Sequence, residues 1–143
     1  NYRSKNVGII FQSFNLLPSM TALENVNLPN QISGALIDDK KGIELLKSVG
    51  LKNRLNHYPH QLSGGEQQRV AIARSLISSP EIIIADEPTG NLDKRNSEEV
   101  MKLIFKLQSD FASTLILVTH DETIAKQCNK IIKLDNGLIV KDE

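Results

Sequence analysis

Two adjacent carboxylates, Asp86-Glu87, close the apolar run Ile82-Ile83-Ile84-Ala85, and Pro88 follows directly. A buried strand that ends in two acids at the C-terminal edge of a parallel sheet is costly unless water or a cation engages them. Side chains alternate along a strand, so the two acids point differently and can do different jobs. One can hold a magnesium ion through its waters while the other activates a water for in-line attack on phosphorus. A lone Asp-Glu pair also occurs commonly as a solvated strand end. The octapeptide Leu62-Ser63-Gly64-Gly65-Glu66-Gln67-Gln68-Arg69 carries a second signal. Ser63 and Glu66 have the spacing of a capping box at the head of an apolar-periodic helix. Gly64 and Gly65 leave backbone N–H groups bare, and the positive helix end favours a phosphate there, with the Ser63 hydroxyl as an extra donor. Ser-Gly-Gly by itself fits a plain N-cap better; the full octapeptide asks for more.

These groups must be brought together by the elements around them. Val7–Phe11, Glu81–Ala85 and Thr114–Thr119 are short, nearly continuous apolar runs, as expected of parallel strands covered on both faces. Between the second and third, Lys94–Phe111 places Val100, Leu103, Ile104, Leu107 and Phe111 on one helical face, which makes a βαβ unit. Gln12, Asp86-Glu87 and His120 each sit just past a strand and so belong to one sheet edge. An amide, a carboxylate pair and an imidazole converging there suit a phosphate and Mg²⁺. Asp93, before the amphipathic helix, reads by itself as an N-cap. From about 14 to 80 there is no convincing strand, and helices are expected near Thr21–Asn27, Lys40–Val49 and Gly64–Ser78. Asp135-Asn136-Gly137 between Lys130–Leu134 and Leu138–Lys141 predicts a closing hairpin. The expected class is α/β, with a helical subdomain at about 14–80 inserted into a core formed by 1–13 and 81–143.

Composition narrows the function. The 143 residues carry 17 Lys+Arg against 17 Asp+Glu, without the basic excess of a dedicated nucleic-acid binder. Cys128 is the single cysteine, which excludes an internal disulfide and fits a reducing compartment; it is expected on a short helix after His120, packed as a small hydrophobe. No apolar run approaches the length of a bilayer span. His57 and His60 flank Tyr58-Pro59 without a carboxylate or thiol at metal-ligand spacing, so a turn is expected there.

Together the motifs resemble the ATP-binding cassette (ABC) family of transporter ATPases over essentially the whole chain. In that resemblance Gln12 is the Q-loop glutamine, Leu62–Gln67 the signature motif and Ile82–Asp86 the Walker B strand. Glu87 is then the catalytic carboxylate, Asn91–Asp93 the D-loop and His120 the switch histidine. Phe11–Pro18, Thr21–Val26 and Glu87–Asp93 resemble the branch serving lipoprotein release and macrolide or antimicrobial-peptide export. The resemblance implies a P-loop NTPase-like sheet and a head-to-tail dimer with a second ABC ATPase domain, each copy's signature helix covering ATP on the other. Ser63, Gly64, Gly65, Glu66 and Asp93 would bind the nucleotide, with Ser63 and Gly65 touching the γ-phosphate. Asp86 and Gln12 would organise Mg²⁺ and water, Glu87 would act as general base, His120 would bridge the γ-phosphate, and Asp93 would report across the interface. It also implies a transmembrane permease partner, received by a groove to which Phe14, Leu16, Leu17, Met20 and Leu23 contribute, on the cytoplasmic face of the membrane.

No Gly-x-x-x-x-Gly-Lys-Ser/Thr phosphate loop occurs in the sequence, nor any Gly-Lys pair. In the family that loop precedes the Q-loop, so the chain is expected to be N-terminally incomplete, inactive alone, and to expose an apolar sheet edge where the preceding strands belong. A degenerate regulatory cassette is the weaker account, because Glu87 and His120 are both present. An ABC-type ATPase acting on cell-division or cell-wall membrane partners without transport uses the same site and stays open. A chromosome-maintenance ATPase is disfavoured by the absence of long coiled-coil insertions, and no nucleic-acid partner is expected.

Overall fold

The computed structural model describes residues 6–142. Three strands, β1 (Val7–Phe11), β2 (Ile82–Asp86) and β3 (Thr114–Val118), form a parallel sheet in the order β1-β2-β3. Their register aligns Phe11 with Asp86 and Asp86 with Val118, so the residues that follow all three strands leave the sheet at one edge.

Three helices lie between β1 and β2: α1 (Ala22–Ser33), α2 (Asp39–Ser48) and α3 (Gly64–Leu76). α1 begins with a full capping box, Thr21 with Glu24, and runs past the sequence limit of Asn27 through Pro29. It stops at Gly34, whose left-handed conformation (φ 70°) lets its N–H return to Asn30 and Gln31. α3 is the hub, packing on α1, α2, β1 and the next helix, α4 (Lys94–Asp110). Its approach to β1 is close enough that a Cβ on Gly8 would stand 2.3 Å from the Ser75 carbonyl oxygen. One core follows, with Val26, Leu46, Val70, Ile72 and Leu76 continuous with Ile10, Ile83, Val100 and Ile104.

The expectation that the strands are covered on both faces is not met. Ile10, Ile83 and Ala85 are buried in that core, and Leu115 and Leu117 pack partly against it. Alternation then turns the other residues outward: Phe11, Ile116 and Val118 are exposed, and Ile9, Ile82 and Ile84 are only half-buried. An apolar run reports that both faces seek cover; it does not supply the cover.

After β3 a single turn, α5 (Glu122–Ala125), precedes the hairpin β4 (Ile132–Asp135) and β5 (Leu138–Asp142). Asn136 (φ 47°) and Gly137 (φ 79°) both adopt the left-handed conformation that a tight two-residue turn needs. The hairpin pairs only with itself among the described residues, and an open cleft of about 700 Å³ separates it from β3. Cys128 is not on the short helix but in the turn beyond it, half-buried, where desolvation raises its thiol pKa.

Candidate functional site

The three strand exits build the first half of the site. Glu87 continues the ladder by donating its N–H to the Val118 carbonyl (2.9 Å), then turns at φ 44°. That left-handed turn aims its carboxylate sideways to the β3 exit. There Glu87 Oε1 accepts from the His120 backbone N–H (2.9 Å) and lies 2.7 Å from His120 Nδ1. The Glu87 hydrogen bond and charge raise the His120 pKa, holding the imidazolium to higher pH than usual. His120 is 86% exposed while Glu87 is 24% exposed, so the acid is sheltered and the imidazole is free to approach a ligand.

Gln12 is exposed beyond β1. Its Nε2 donates to Asn91 Oδ1 (3.3 Å), and Asn91 Nδ2 returns a bond to the Gln12 carbonyl (3.1 Å). The Gln12 amide lies across Gly90, where a Cβ would come within 2.6 Å of its Nε2. Asp86 ends β2 exposed, and its carboxylate has no hydrogen bond or ion pair among the described residues. An open carboxylate at the strand edge that Gln12 also follows offers hard oxygen donors, which fits Mg²⁺ because that ion keeps several waters and needs few protein ligands. No group of three or more His, Cys, Asp or Glu side chains placed to hold a metal occurs among the described residues.

The second half is the start of α3. Ser63 Oγ accepts from the Glu66 N–H (3.2 Å), and Glu66 Oε2 accepts from the Ser63 N–H (2.8 Å). Arg54 Nε donates to the other Glu66 oxygen at 3.0 Å. The Ser63 backbone hydrogen bond is the main cause of Glu66's lowered pKa, and Arg54 adds to it. Glu66 is thus spent on bracing the helix start. The Ser63 hydroxyl still has its proton to give, and with the first N–H groups of α3 it offers donors to an anion.

Asp93 caps α4, accepting from the Asn96 N–H (3.1 Å), and hydrogen bonds from Asn96 lower its pKa. The structure therefore brings Glu87 to His120 and Gln12 to Asn91. It sets Ser63, Gly64 and Gly65 apart from both pairs, beside Leu92 and Asn96.

Two tie residues were missed by sequence reasoning. Gln68, fully buried on α3, donates Nε2 to the Pro88 carbonyl (2.6 Å) and, more weakly, to the Phe11 carbonyl (3.4 Å). It thereby holds α3 to the residues adjoining Glu87 and Gln12, with its Oε1 buried and unpaired among the described residues. The available signal was a polar side chain in register with buried Ala71, Ile72 and Ser75. Arg74 donates to the carbonyls of Phe14 and Asn15, both left-handed (φ 57° and 51°). Carbonyl acceptors leave no trace in a sequence.

Of the expected groove residues, Leu17 is 40% exposed, while Phe14, Leu16, Met20 and Leu23 are half-buried, Leu16 and Leu23 against the core. Buried Asn25 shapes this stretch by donating to the Leu17, Met20 and Thr21 carbonyls and accepting from the Leu17 N–H. His57 lies just ahead of the one-turn 3-10 helix Pro59–Gln61 and His60 within it, with the Tyr58 and His60 rings stacked at 5.9 Å.

A family profile described as ABC transporter matches residues 1–90. The chain is 45% identical over 145 residues to the macrolide export ATP-binding/permease protein MacB of Rhodopirellula baltica, covering 99% of the chain and 21% of that protein. It is 46% identical over 141 residues to the lipoprotein-releasing system ATP-binding protein LolD of Bacteroides fragilis, covering 97% of the chain and 65% of the relative. The chain thus spans about a fifth of the first protein and just under two thirds of the second. Among solved structures, the dimeric post-hydrolysis state of the ATP-binding cassette MJ0796 bound to ADP and Pi superposes with a TM-score of 0.84 at 44% identity. That match covers 99% of the chain and 63% of the cassette. With the family profile, the relatives and the fold in agreement, the chain belongs to the ABC transporter family.

Proposed function

We propose that the chain is part of an ATP-hydrolysing cassette that powers export or lipoprotein release through a membrane permease. The observation that carries the reading is the Glu87–His120 pair beside the open Asp86 carboxylate, at the edge where all three strands exit. Glu87 is the general base. Its sheltered carboxylate can take a proton from water, while His120 reaches outward to a terminal phosphate. Asp86 and Gln12 are the residues that would hold Mg²⁺, which when bound supplies charge to the phosphate oxygens. Ser63 and the N–H groups at Gly64 and Gly65 serve the nucleotide of a second cassette arranged head to tail; that the MJ0796 cassette structures are dimeric supports the presence of a second copy.

The permease is received by the segment from Phe14 to Leu23, whose shape Asn25 and Arg74 fix and from which Leu17 projects. No helix among the described residues is long and apolar enough to cross a membrane.

The test is ATP turnover by a longer protein in which this chain is completed with a phosphate-loop segment and assembled with a permease. Glu87→Gln should lower kcat by about a hundredfold or more with nucleotide binding retained. Turnover within twofold of wild type would remove Glu87 from the chemistry and sink the reading.

A further inference from the structure

Gly64 and Gly65 look interchangeable in sequence, but the structure separates them. Gly64 is exposed, and a Cβ there would meet only Leu92 Cδ2 at 3.6 Å and Phe14 Cζ at 3.8 Å, ordinary contact. Gly65 is buried, and a Cβ there would stand 2.6 Å from Asn96 Oδ1 and 3.1 Å from Asn96 Cγ. Swinging the Asn96 carboxamide aside would break its hydrogen bond to Asp93. Its Nδ2 donates to Asp93 Oδ2, and its backbone N–H donates to Asp93 Oδ1, so the carboxamide is held from the loop side while its oxygen faces Gly65. The same loop's Leu92 lies over Gly64.

We infer that Asn96 is a positioning residue that joins the start of α3 to the Asn91–Asp93 loop, and that position 65 is glycine because Asn96 occupies the space beside it. The inference rests on the proposed ATPase site and adds to it. Donors at the head of α3 and the carboxylate of Asp93 then move as one unit, so a group bound at either is felt at the other. Asn96 itself touches no reacting atom.

A suppression experiment in the longer protein decides it. Gly65→Ala should lower kcat for ATP about tenfold. Asn96→Ala should lower kcat about threefold with KM within about twofold, and the double variant should be no worse than Asn96→Ala. A tenfold defect that persists in the Asn96→Ala background would mean that Gly65 serves the nucleotide alone, and the inference fails. Amide hydrogen exchange on the same proteins gives a readout independent of turnover. Asn96→Ala should speed exchange at the Glu66 N–H, bonded to Ser63 Oγ, and at the Leu92 N–H, bonded to the Thr89 carbonyl, together, by about tenfold. Acceleration confined to residues 93–97 would reduce Asn96 to helix capping and overturn the inference. Absence of ATPase in the wild type would refute the proposed function, while the exchange result would still decide the coupling.

Discussion

The strand-exit cluster and the start of α3 are both polar and both offer groups to phosphate chemistry, yet they are built in opposite ways. At the start of α3 nearly every side chain is spent on structure: Ser63 and Glu66 cap each other, Arg54 holds Glu66, and Asn96 fills the space at Gly65. At the strand exits Asp86 is open, Gln12 is exposed and His120 projects into solvent, with Glu87 alone sheltered. The first is a fixed receptor that needs no rearrangement to present its donors. The second is a set of long side chains on a rigid sheet edge, able to re-aim when a ligand arrives. Pre-organisation favours recognition, and movable groups suit a reaction that must also let its product go.

The comparison can be broken most severely where α3 meets β1. Gly8→Ala places a methyl against the Ser75 carbonyl oxygen, backbone on backbone, and should destabilise the chain by about 3 kcal/mol in denaturant titration. Loss of less than about 1 kcal/mol would show that α3 is less firmly seated than the contact implies. Gln68→Leu removes the tie between the two regions. Leaving the Pro88 carbonyl without its donor should cost about 1–2 kcal/mol, and a neutral result would mean that relief of the unpaired Oε1 offsets the loss. Ser63→Ala should cost about 1 kcal/mol by loss of the N-cap, measurable as a lower melting temperature.

Acid titration sharpens the contrast further. Glu66 has a folded pKa below its unfolded value, so its stabilisation is present above the unfolded value and is lost as the pH falls through the folded one. Glu66→Gln should therefore flatten the acid limb of the stability curve; an unchanged limb would assign that slope to other carboxylates. The smallest effect belongs to His120→Ala. With so exposed an imidazole, the melting temperature should not move, even as turnover falls. A clear drop would show the strand-exit cluster to be structural after all.

The strands, the long amphipathic helix, the hairpin and the placing of Gln12, Glu87 and His120 at one edge were legible because period and punctuation encode them. The bare sheet face was not, since Ile116 and Val118 have the composition of core residues whether or not anything lies on them. Nor was the continuation of α1 through Pro29, where Gly34 rather than the proline sets the end. The site was read as a list of groups, but its wiring was not. Arg74 acts on main-chain oxygens, and the Asn96–Gly65 contact depends on α3 and α4 crossing at their first turns.

The left-handed backbone at Glu87 reaches beyond the chemistry. A non-glycine residue held there carries about 1–3 kcal/mol of conformational cost that glycine would not. A library of variants sorted for thermal resistance alone should therefore enrich Glu87→Gly and discard the carboxylate. Position 87 is where an optimiser blind to turnover would trade the proposed general base for a sturdier shell.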